Sequence, residues 1–365
     1  MKSRTGAGVV SLALAVAATG AVSVVPAASA VEARPAARTI TARLDGPFGL
    51  QRSVDHRGFV VAESVSGQVT RVFLDGRKRT IINGAPGVAG VATGPHRVFA
   101  VLGGPNEDGQ APAGKYGPST VLRSTYDGRG TKVIADLGKY ELAHNPDGQV
   151  QFVDGKPVDA LSNPFAMTMS RYGLIVADGG ANDVLRVDPR SGRVSTFFVP
   201  HTVTDVKACL APGAQSNPGT VGCDPVPTGV AVSRGSVYVS TLGAEQPGAG
   251  RVYKLDERTG KVQRVWRGLT SPTGIAVRGD GTVFVSEVLH GAPAGDGPPP
   301  PGFDPRKVGR ITRISHGRIT HAQVTMPTGL LYTHGNLYST AWSIASFVGL
   351  KHKGQVVQVR QSAFH

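Results

Sequence analysis

Three carboxylates recur at one position of a repeated sequence pattern, and they are the residues of this chain best suited to chemistry. Each follows an apolar run with the length of a β-strand, and they are Glu63, Asp178 and Glu287. Carboxylate oxygens bind hard divalent cations such as Ca²⁺, and repulsion among carboxylates raises a pKa and so creates a base. Three polar residues follow close behind: Asn182, Asp183 and His290. We expect these six residues to bind a ligand, with Glu63, Asp178 and Glu287 as candidate metal ligands.

A structural role for the same carboxylates is the alternative. An acidic residue at a strand end often accepts hydrogen bonds from the following turn, and Asp178-Gly179-Gly180 has the composition of such a turn. Motifs for other chemistry are absent from the sequence: there is no Gly-x-Ser-x-Gly, no His-Glu-x-x-His, no phosphate loop and no EF-hand loop. Catalytic residues therefore stay unassigned, and both roles of the carboxylates remain open.

The elements that position these residues are short strands in a sixfold repeat. A Pro-x-small triplet opens five units, at Pro47, Pro164, Pro227, Pro272 and Pro327, and a weaker copy is Val88-Ala89-Gly90. Each triplet leads to a second apolar run, and these runs are 59–62, 98–101, 174–177, 237–240, 283–286 and 337–340. Gly, Pro, Asp and Ser form the turns between runs. Six four-stranded antiparallel units predict an all-β, six-bladed β-propeller whose ring is closed by the N-terminal strand 39–44.

The long insertions all fall on one face of this predicted propeller. Turns between first and second strands, and between third and fourth strands, are short. The long segments lie between second and third strands or between units, and they are 103–120, 138–163, 201–226, 242–250, 288–308 and 343–353. Long loops on a rigid scaffold are where binding and catalysis concentrate. We call this side the loop-rich face and expect it to carry the function, around the central channel.

The first thirty residues have the pattern of a secretory signal peptide. Lys2 and Arg4 form a basic start, an apolar run follows at 9–25, and Ala28-Ser29-Ala30 fits a cleavage site. We therefore expect residues 31–365 to form a single secreted, extracellular propeller domain. No later run reaches the ~20 apolar residues of a membrane-spanning helix, so the mature protein is not expected to be transmembrane.

The two cysteines of the chain, Cys209 and Cys223, lie in one predicted loop. A zinc site would need more ligands than this loop offers. In an oxidising compartment a disulfide would stabilise the loop by roughly 3 kcal/mol. The sequence therefore predicts a disulfide bond between them.

The chain is basic, with 39 Lys and Arg residues against 25 Asp and Glu residues and a net charge of +14. The basic residues are dispersed along the sequence, which favours a solvated surface. A basic secreted protein would also be weakly attracted to anionic wall polymers. No nucleic-acid-binding motif is present. We expect an unidentified small molecule or extracellular partner, and no nucleic acid.

One stretch resembles the ScyD/ScyE family. The resemblance is carried by residues 140–148 (YELAHNPDG), 162–166 (SNPFA) and 176–188 (VADGGANDVLRVD), with 226–232 (VPTGVAV) as a further part. The family consists of exported six-bladed propellers, so the resemblance implies the fold and export. It implies no activity, because most members have no assigned reaction. Thr241 stands where the resemblance leads us to expect an acidic residue, and this argues against a complete ring of metal ligands.

Two functions remain open at this point. The first is an exported binding or assembly propeller that uses its loop-rich face and performs no chemistry. The second is a metal-dependent hydrolase, similar to lactonases and gluconolactonases, with a divalent cation such as Ca²⁺ at the channel mouth. Glu63, Asp178 and Glu287 would supply part of that site, but the Asn ligands expected on inner strands are missing. A metal analysis of the purified protein discriminates between the two.

Overall fold

The computed structural model describes residues 35–105, 112–149, 151–153, 156–158, 161–211, 220–293 and 300–365. The predicted signal peptide, residues 1–30, lies outside these residues. Within the described residues, no helix is long and apolar enough to cross a membrane.

Six antiparallel sheets of four strands contain most of the regular structure of the described residues. Strand β1 (Ala37–Leu44) comes first in the chain but belongs to the last sheet. Blades 1 to 3 are β2 (Pro47–Arg52), β3 (Gly58–Glu63), β4 (Gln68–Phe73), β5 (Lys78–Ile82); β6 (Val88–Thr93), β7 (Val98–Leu102), β8 (Thr120–Ser124), β9 (Lys132–Asp136); and β12 (Pro164–Ser170), β13 (Gly173–Asp178), β14 (Asp183–Val187), β15 (Val194–Phe198). Blades 4 to 6 are β16 (Pro227–Ser233), β17 (Ser236–Thr241), β18 (Gly250–Asp256), β19 (Val262–Leu269); β20 (Pro272–Val277), β21 (Val283–Glu287), β22 (Arg310–Ser315), β23 (Arg318–Ala322); and β24 (Leu330–Thr333), β25 (Asn336–Ala341), β26 (Gly354–Val359) with β1.

The ring is closed by pairing between the two ends of the described chain. Strand β1 runs antiparallel to β26, with Ala37 opposite Val359 and Leu44 opposite Gly354. The sixth sheet therefore has the order β1-β26-β25-β24 and leaves its outer edge to the N-terminal strand. The fold is a six-bladed β-propeller, and the predicted closure is confirmed.

The Pro-x-small triplets form the contacts between neighbouring blades at the axis. A Cβ atom added to Gly274 would lie 1.8 Å from the carbonyl oxygen of Thr328 in the next blade, so a side chain cannot fit there. The middle residues of the triplets in blades 4 to 6 are threonines, and each donates a hydrogen bond to the triplet proline carbonyl of the following blade. These bonds are Thr228 Oγ1 to Pro272 O (2.8 Å), Thr273 Oγ1 to Pro327 O (3.2 Å) and Thr328 Oγ1 to Pro47 O (3.1 Å). The repeated triplet is thus a packing requirement of the ring.

The hydrophobic core lies between the blades. Every residue of β3, β7, β13, β17 and β21 is buried, because these second strands are covered on both faces by adjacent blades. Aromatic side chains cross the blade boundaries, as where Phe284 stacks on Tyr332 with ring centroids 5.6 Å apart. On the short-turn face, opposite the loops, Arg186 of blade 3 donates to the carbonyls of Glu257 and Arg258 in blade 4.

The strand order places the long connections on a single face, as the sequence predicts. These connections are 103–119, 137–163, 199–226, 242–249, 288–309 and 342–353. One of them contains a helix that the sequence pattern does not predict, α1 (Leu137–His144). Its ends carry ordinary signals: Asp136 caps the first turn by accepting from the backbone N of Lys139 at 2.8 Å, and Asn145 ends the helix in the left-handed conformation with φ 37°.

Several short elements complete the loop-rich face. Strands β10 (Gln151–Val153) and β11 (Lys156–Val158) form a hairpin after α1. Short 3₁₀ turns occur in the long connections at Lys207–Leu210, Pro305–Lys307 and Ala345–Val348. A further 3₁₀ turn, Gln361–Ala363, follows the third strand of blade 6 near the C-terminus.

The predicted disulfide is present in the connection between blades 3 and 4. Cys209 and Cys223 are bonded and buried, with Cα atoms 4.9 Å apart. Cys223 also pairs with Val203 as an isolated β-bridge, and both residues pack with Ala249 of blade 4. The disulfide therefore holds the loop between blades 3 and 4 against blade 4.

Candidate functional site

Glu63 and Glu287 occupy matching pockets in blades 1 and 5. Each is the last residue of a second strand, and each is buried. In both pockets Oε2 accepts from a backbone N–H two residues before the triplet proline, and Oε1 accepts from a threonine hydroxyl on the third strand. The donors are Asp45 N (2.9 Å) and Thr70 for Glu63, and Thr270 N (2.8 Å) and Thr312 for Glu287. These contacts tie each carboxylate to the link before its own blade and to the third strand, whereas the structural alternative expects donors from the turn that follows the second strand.

The pocket of blade 5 also contains a positively charged side chain. Arg310 lies opposite Glu287 in the β21–β22 pairing and donates from Nε to Oε1 at 2.9 Å and from Nη2 to Oε2 at 3.1 Å. This two-point contact neutralises a fully buried carboxylate. His290 lies nearby, and its pKa is lowered by burial and by the charge of Arg310, with Glu287 acting in the opposite direction.

Asp178 of blade 3 is held by four donors. Its Oδ2 accepts from Ser162 Oγ at 2.6 Å, and its Oδ1 accepts from the backbone N of Asn163 at 2.6 Å. The backbone N–H groups of Gly180 and Ala181 add two bonds of 3.2 Å to Oδ1. Burial raises the pKa of Asp178 to about 6, although these hydrogen bonds act to lower it.

Asp183 lies opposite Asp178 in the β13–β14 pairing and has a different environment. Its side chain is 0% exposed, and within the described residues neither of its carboxylate oxygens has a hydrogen-bond partner. The pKa of Asp183 is raised well above its usual range by burial and then by the negative charges of Asp178, Glu141 and Asp147. Two acidic residues therefore face each other where blade 5 has an ion pair.

Asn182 connects this pair to the neighbouring loops. Its backbone is left-handed, with φ 51°. Its Nδ2 donates to Asp147 Oδ2 at 3.1 Å, and its Oδ1 accepts from the backbone N of Val226 at 3.1 Å. Asn182 thus joins the connections on both sides of blade 3.

Two acidic residues near this position are not among the predicted site residues. Glu141 of α1 is buried, and burial, together with the charges of Asp147 and Asp178, raises its pKa to about 8. Asp147 is half-buried, and burial raises its pKa as well. Because the sequence analysis places residues 138–163 in a long insertion and predicts no helix there, nothing in the strand pattern brings Glu141 near Asp183. The cap residues Asp136 and Asn145 are the signal that would have revealed the helix.

The residue opposite the strand-end position varies among the five blades in which that position is paired. The pairs are Glu63 with Gln68, Asp178 with Asp183, Thr241 with Arg251, Glu287 with Arg310 and Ala341 with Gln355. In blade 4, where Thr241 replaces the acid, Arg251 is buried and pairs instead with Asp205 of the preceding loop. Each of the two arginines at this position therefore forms an ion pair with a carboxylate. Asp183, at the same position, faces the carboxylate of Asp178.

The six predicted residues are thus divided among three blades. Asp178, Asn182 and Asp183 lie together in blade 3, Glu63 lies in blade 1, and Glu287 lies with His290 in blade 5. Across the described part of the chain, no group of three or more His, Cys, Asp or Glu side chains is placed to hold one metal ion. The hypothesis that Glu63, Asp178 and Glu287 share a cation stays a prediction.

The central channel is narrow and lined by the inner strands. A cavity of about 40 Å³ lies on the axis, and the residues that line it do not include any carboxylate. At its loop-rich end Phe48 and Phe165 meet edge to face, with ring centroids 5.3 Å apart, and Phe48 packs under the loop residues Val288 and Ile344. The residues that line this cavity therefore offer no carboxylate ligand to a cation on the axis.

Solved structures with a similar fold are proteins of varied function. They include a luciferin-regenerating enzyme (TM-score 0.54, 10% identity, 88% of this chain and 94% of that chain) and a gluconolactonase from Xanthomonas campestris (0.52, 13%, 89% and 90%). A glucose dehydrogenase is also similar (0.51, 15%, 89% and 99%). No protein-family model matches the chain, and no curated protein matches its sequence. At these identities the likeness establishes the β-propeller fold alone.

Proposed function

We propose that this chain is an exported binding or assembly propeller, similar to the ScyD/ScyE proteins, that uses its loop-rich face to engage a small molecule or an extracellular partner. In this proposal the signal peptide 1–30 is removed and residues 31–365 form the single working domain. The candidate site residues lie at the strand ends beneath that face, where they hold the loops in position.

The observation that carries the proposal is the asymmetry between the two faces. All six long connections lie on the loop-rich face, and several of them expose apolar side chains. The exposed residues there include Leu142, Leu210, Val221 and Phe347. Exposed apolar groups on ordered loops are typical of recognition surfaces. The opposite face consists of short turns, in which aspartates such as Asp75, Asp127, Asp188 and Asp256 accept bonds from the turn backbone.

Export is supported by the disulfide. A buried bond between Cys209 and Cys223 persists in oxidising compartments and is rare in the cytosol. The excess of basic residues is compatible with weak attraction to anionic wall polymers. That attraction is non-directional, so it would add to recognition by the loops without replacing it.

Two matched double variants test the proposal. Leu142→Gln with Phe347→Gln removes apolar side chains that are 68% and 48% exposed on the loop-rich face, and Leu74→Gln with Tyr172→Gln removes side chains that are 55% and 45% exposed on the opposite face. Binding of each purified protein to the cell-envelope fraction and to concentrated medium of the producing cells is measured. We expect the first variant to bind at least about tenfold more weakly and the second to bind like the wild type.

Three results contradict this expectation. Binding retained in both variants and abolished for all three proteins by moderate salt indicates attraction by charge alone. Binding lost in the second variant only assigns function to the short-turn face. Hydrolysis of a δ-lactone by the wild type in the presence of added Ca²⁺ or Zn²⁺ supports the metal-dependent hydrolase instead.

A further inference from the structure

Four acidic side chains converge beside blade 3. We call Glu141, Asp147, Asp178 and Asp183 the blade-3 acidic cluster. Three of them are buried and Asp147 is half-buried. The charged groups that act on Asp183 are Asp178, Glu141 and Asp147, all of them acidic. Bringing like charges together away from water is unfavourable unless something offsets them.

The oxygens of this cluster are not equally used. Both oxygens of Asp178 are occupied by hydrogen-bond donors, and both oxygens of Asp147 accept bonds, from Gln149 N and Asn182 Nδ2. In contrast, four buried oxygens of the cluster and of the neighbouring Asn145 have no hydrogen-bond partner within the described residues. They are Oδ1 and Oδ2 of Asp183, Oε2 of Glu141 and Oδ1 of Asn145.

Asn145 is oriented by its own contacts. As the left-handed residue at the end of α1, its backbone N donates to Glu141 O at 2.8 Å. Its Nδ2 donates to the carbonyl oxygen of Gln149 at 3.0 Å, which leaves Oδ1 as the unpaired end of the amide. Glu141 and Asn145 are four residues apart along the helix and its cap, so they lie on the same side of α1. Asp183 is the first residue of strand β14 in blade 3.

The chemistry of these oxygens matches a hard divalent cation. Ca²⁺ takes six to eight oxygen ligands from carboxylates, Asn side chains, backbone carbonyls and water. A single Ca²⁺ would satisfy oxygens that otherwise lack a donor and would offset the repulsion within the cluster. The set consists of two carboxylates and one amide. It is therefore compatible with the finding that the described part of the chain has no group of three His, Cys, Asp or Glu side chains placed to hold a metal ion.

We propose that Asp183, Glu141 and Asn145 bind a divalent cation of the Ca²⁺ type, which fastens the α1 connection to blade 3. The bound cation neutralises buried carboxylates in blade 3, as Arg310 neutralises Glu287 in blade 5. The site is distinct from a shared site of Glu63, Asp178 and Glu287, and it does not depend on which partner the loop-rich face binds. Loss of partner binding in the loop-face variants would therefore leave it intact.

Thermal unfolding of the purified protein in EDTA and in Ca²⁺ tests the proposal. At a Ca²⁺ concentration a hundredfold above the dissociation constant, we expect the melting temperature of the wild type to rise by about 4 °C. Asp183→Asn should remove this rise. Since the variant also removes a buried charge from a repelling cluster, its melting temperature in EDTA should equal or exceed that of the wild type. Calorimetric titration should find one Ca²⁺ per wild-type chain.

Two further variants keep the test decisive. Glu141→Gln provides a second way to weaken the site if Asp183→Asn does not fold, and it should also abolish the rise. Glu63→Gln changes a buried carboxylate of another blade and should keep the full rise. The proposal is overturned if the wild type shows no rise and binds no Ca²⁺, if Asp183→Asn and Glu141→Gln both keep the rise, or if Glu63→Gln loses it.

Discussion

Blades 3 and 5 present the same strand-end position with opposite partners. In blade 5 the buried Glu287 faces Arg310, which contacts both of its oxygens. In blade 3 the buried Asp178 faces Asp183, whose oxygens have no partner within the described residues. The backbone pairing is equivalent, so the difference arises from the side chains alone. One blade carries its neutralising charge within its own sequence, and the other is neutralised by protons or by a bound cation.

The comparison separates two roles that carboxylates have in this ring. Glu63, Asp178 and Glu287 all accept backbone hydrogen bonds from the link before their own blade. That shared contact is structural. Asp183, Glu141 and Asn145 have oxygens that no such contact explains. Recurrence along the sequence therefore accompanies the shared backbone contact, whereas the candidate ligands of the blade-3 site occur in one blade only.

Removing the positive charge of Arg310 in blade 5 should have the largest effect on stability. Arg310→Met leaves Glu287 buried without its partner, so we expect the free energy of unfolding to fall by about 3–5 kcal/mol. Urea unfolding measures this loss. Arg306→Met is the matched control, because Arg306 pairs with Asp304 at an exposed site and its removal should change the stability by less than ~1 kcal/mol. Equal losses in the two variants would remove the energetic distinction that we draw for blade 5.

The two aspartates of blade 3 should respond differently to the same substitution. Asp178→Asn replaces one acceptor oxygen by an amide donor in a pocket of four donors, so we expect a loss of about 1–3 kcal/mol. Asp183→Asn, measured in EDTA, should cause no loss, because the carboxylate has no donor to give up. Chemical denaturation of both variants checks the pair. A comparable loss in Asp183→Asn would mean that this carboxylate has a structural partner after all.

Blade 1 provides an intermediate case, since Glu63 has the donors of Glu287 but faces Gln68 instead of an arginine. Glu63→Gln should cost about 1 kcal/mol, the value of a single hydrogen bond. Glu287→Gln should cost more, because it also leaves Arg310 without its carboxylate. The difference between the two melting temperatures measures the contribution of the arginine. Identical shifts would indicate that the Arg310 contact adds no stability.

The smallest expected effect is a pH dependence from the positive side of blade 5. Burial and the charge of Arg310 lower the pKa values of His290 and His321, while Glu287 acts to raise them, and His365 and His290 also act on His321. A histidine with a lowered pKa in the folded state binds fewer protons than in the unfolded state. The contribution of these two histidines to stability should therefore fall as the pH falls below the ordinary value of about 6.5, whereas the raised pKa values of Glu141 and Asp178 act in the opposite direction.

The variant His321→Gln isolates this effect. When the pH is lowered from 7.5 to 5.5, the melting temperature of the variant should fall less, or rise more, than that of the wild type. Because Thr312 contacts His321 Nδ1 at 2.9 Å, glutamine keeps a polar group at the same place. A loss as large as that of the wild type would show that other groups control stability in this range.

The fold could be predicted because its signals are local and repeated. The triplets at Pro47, Pro227 and Pro272 recur because close packing at the axis needs a small third residue, and the strand 39–44 has no other place to pair. The disulfide followed from two cysteines in one loop. These features depend on residues near one another in the sequence, or on the repeat itself.

The blade-3 acidic cluster could not be predicted, since it depends on tertiary contacts. Glu141 belongs to a helix inside an insertion, and the repeat carries no information about where that helix packs. The register of β13 and β14 decides that Asp183 faces Asp178. Arg310, which neutralises Glu287, occupies the position in the repeat that Asp183 occupies in blade 3, and only the strand pairing reveals this correspondence.

Anomalous diffraction from crystals grown with Ca²⁺ tests the central comparison most directly. We expect one peak between Asp183, Glu141 and Asn145, with ligand oxygens 2.3–2.6 Å away, and no peak beside Glu287, where Arg310 occupies the carboxylate. Density without a peak in blade 3 and with the acidic side chains hydrogen-bonded to one another would show that protons alone neutralise the cluster. A peak on the propeller axis together with none in blade 3 would instead favour a cation shared by Glu63, Asp178 and Glu287. Either result would contradict the proposal that a bound cation neutralises blade 3.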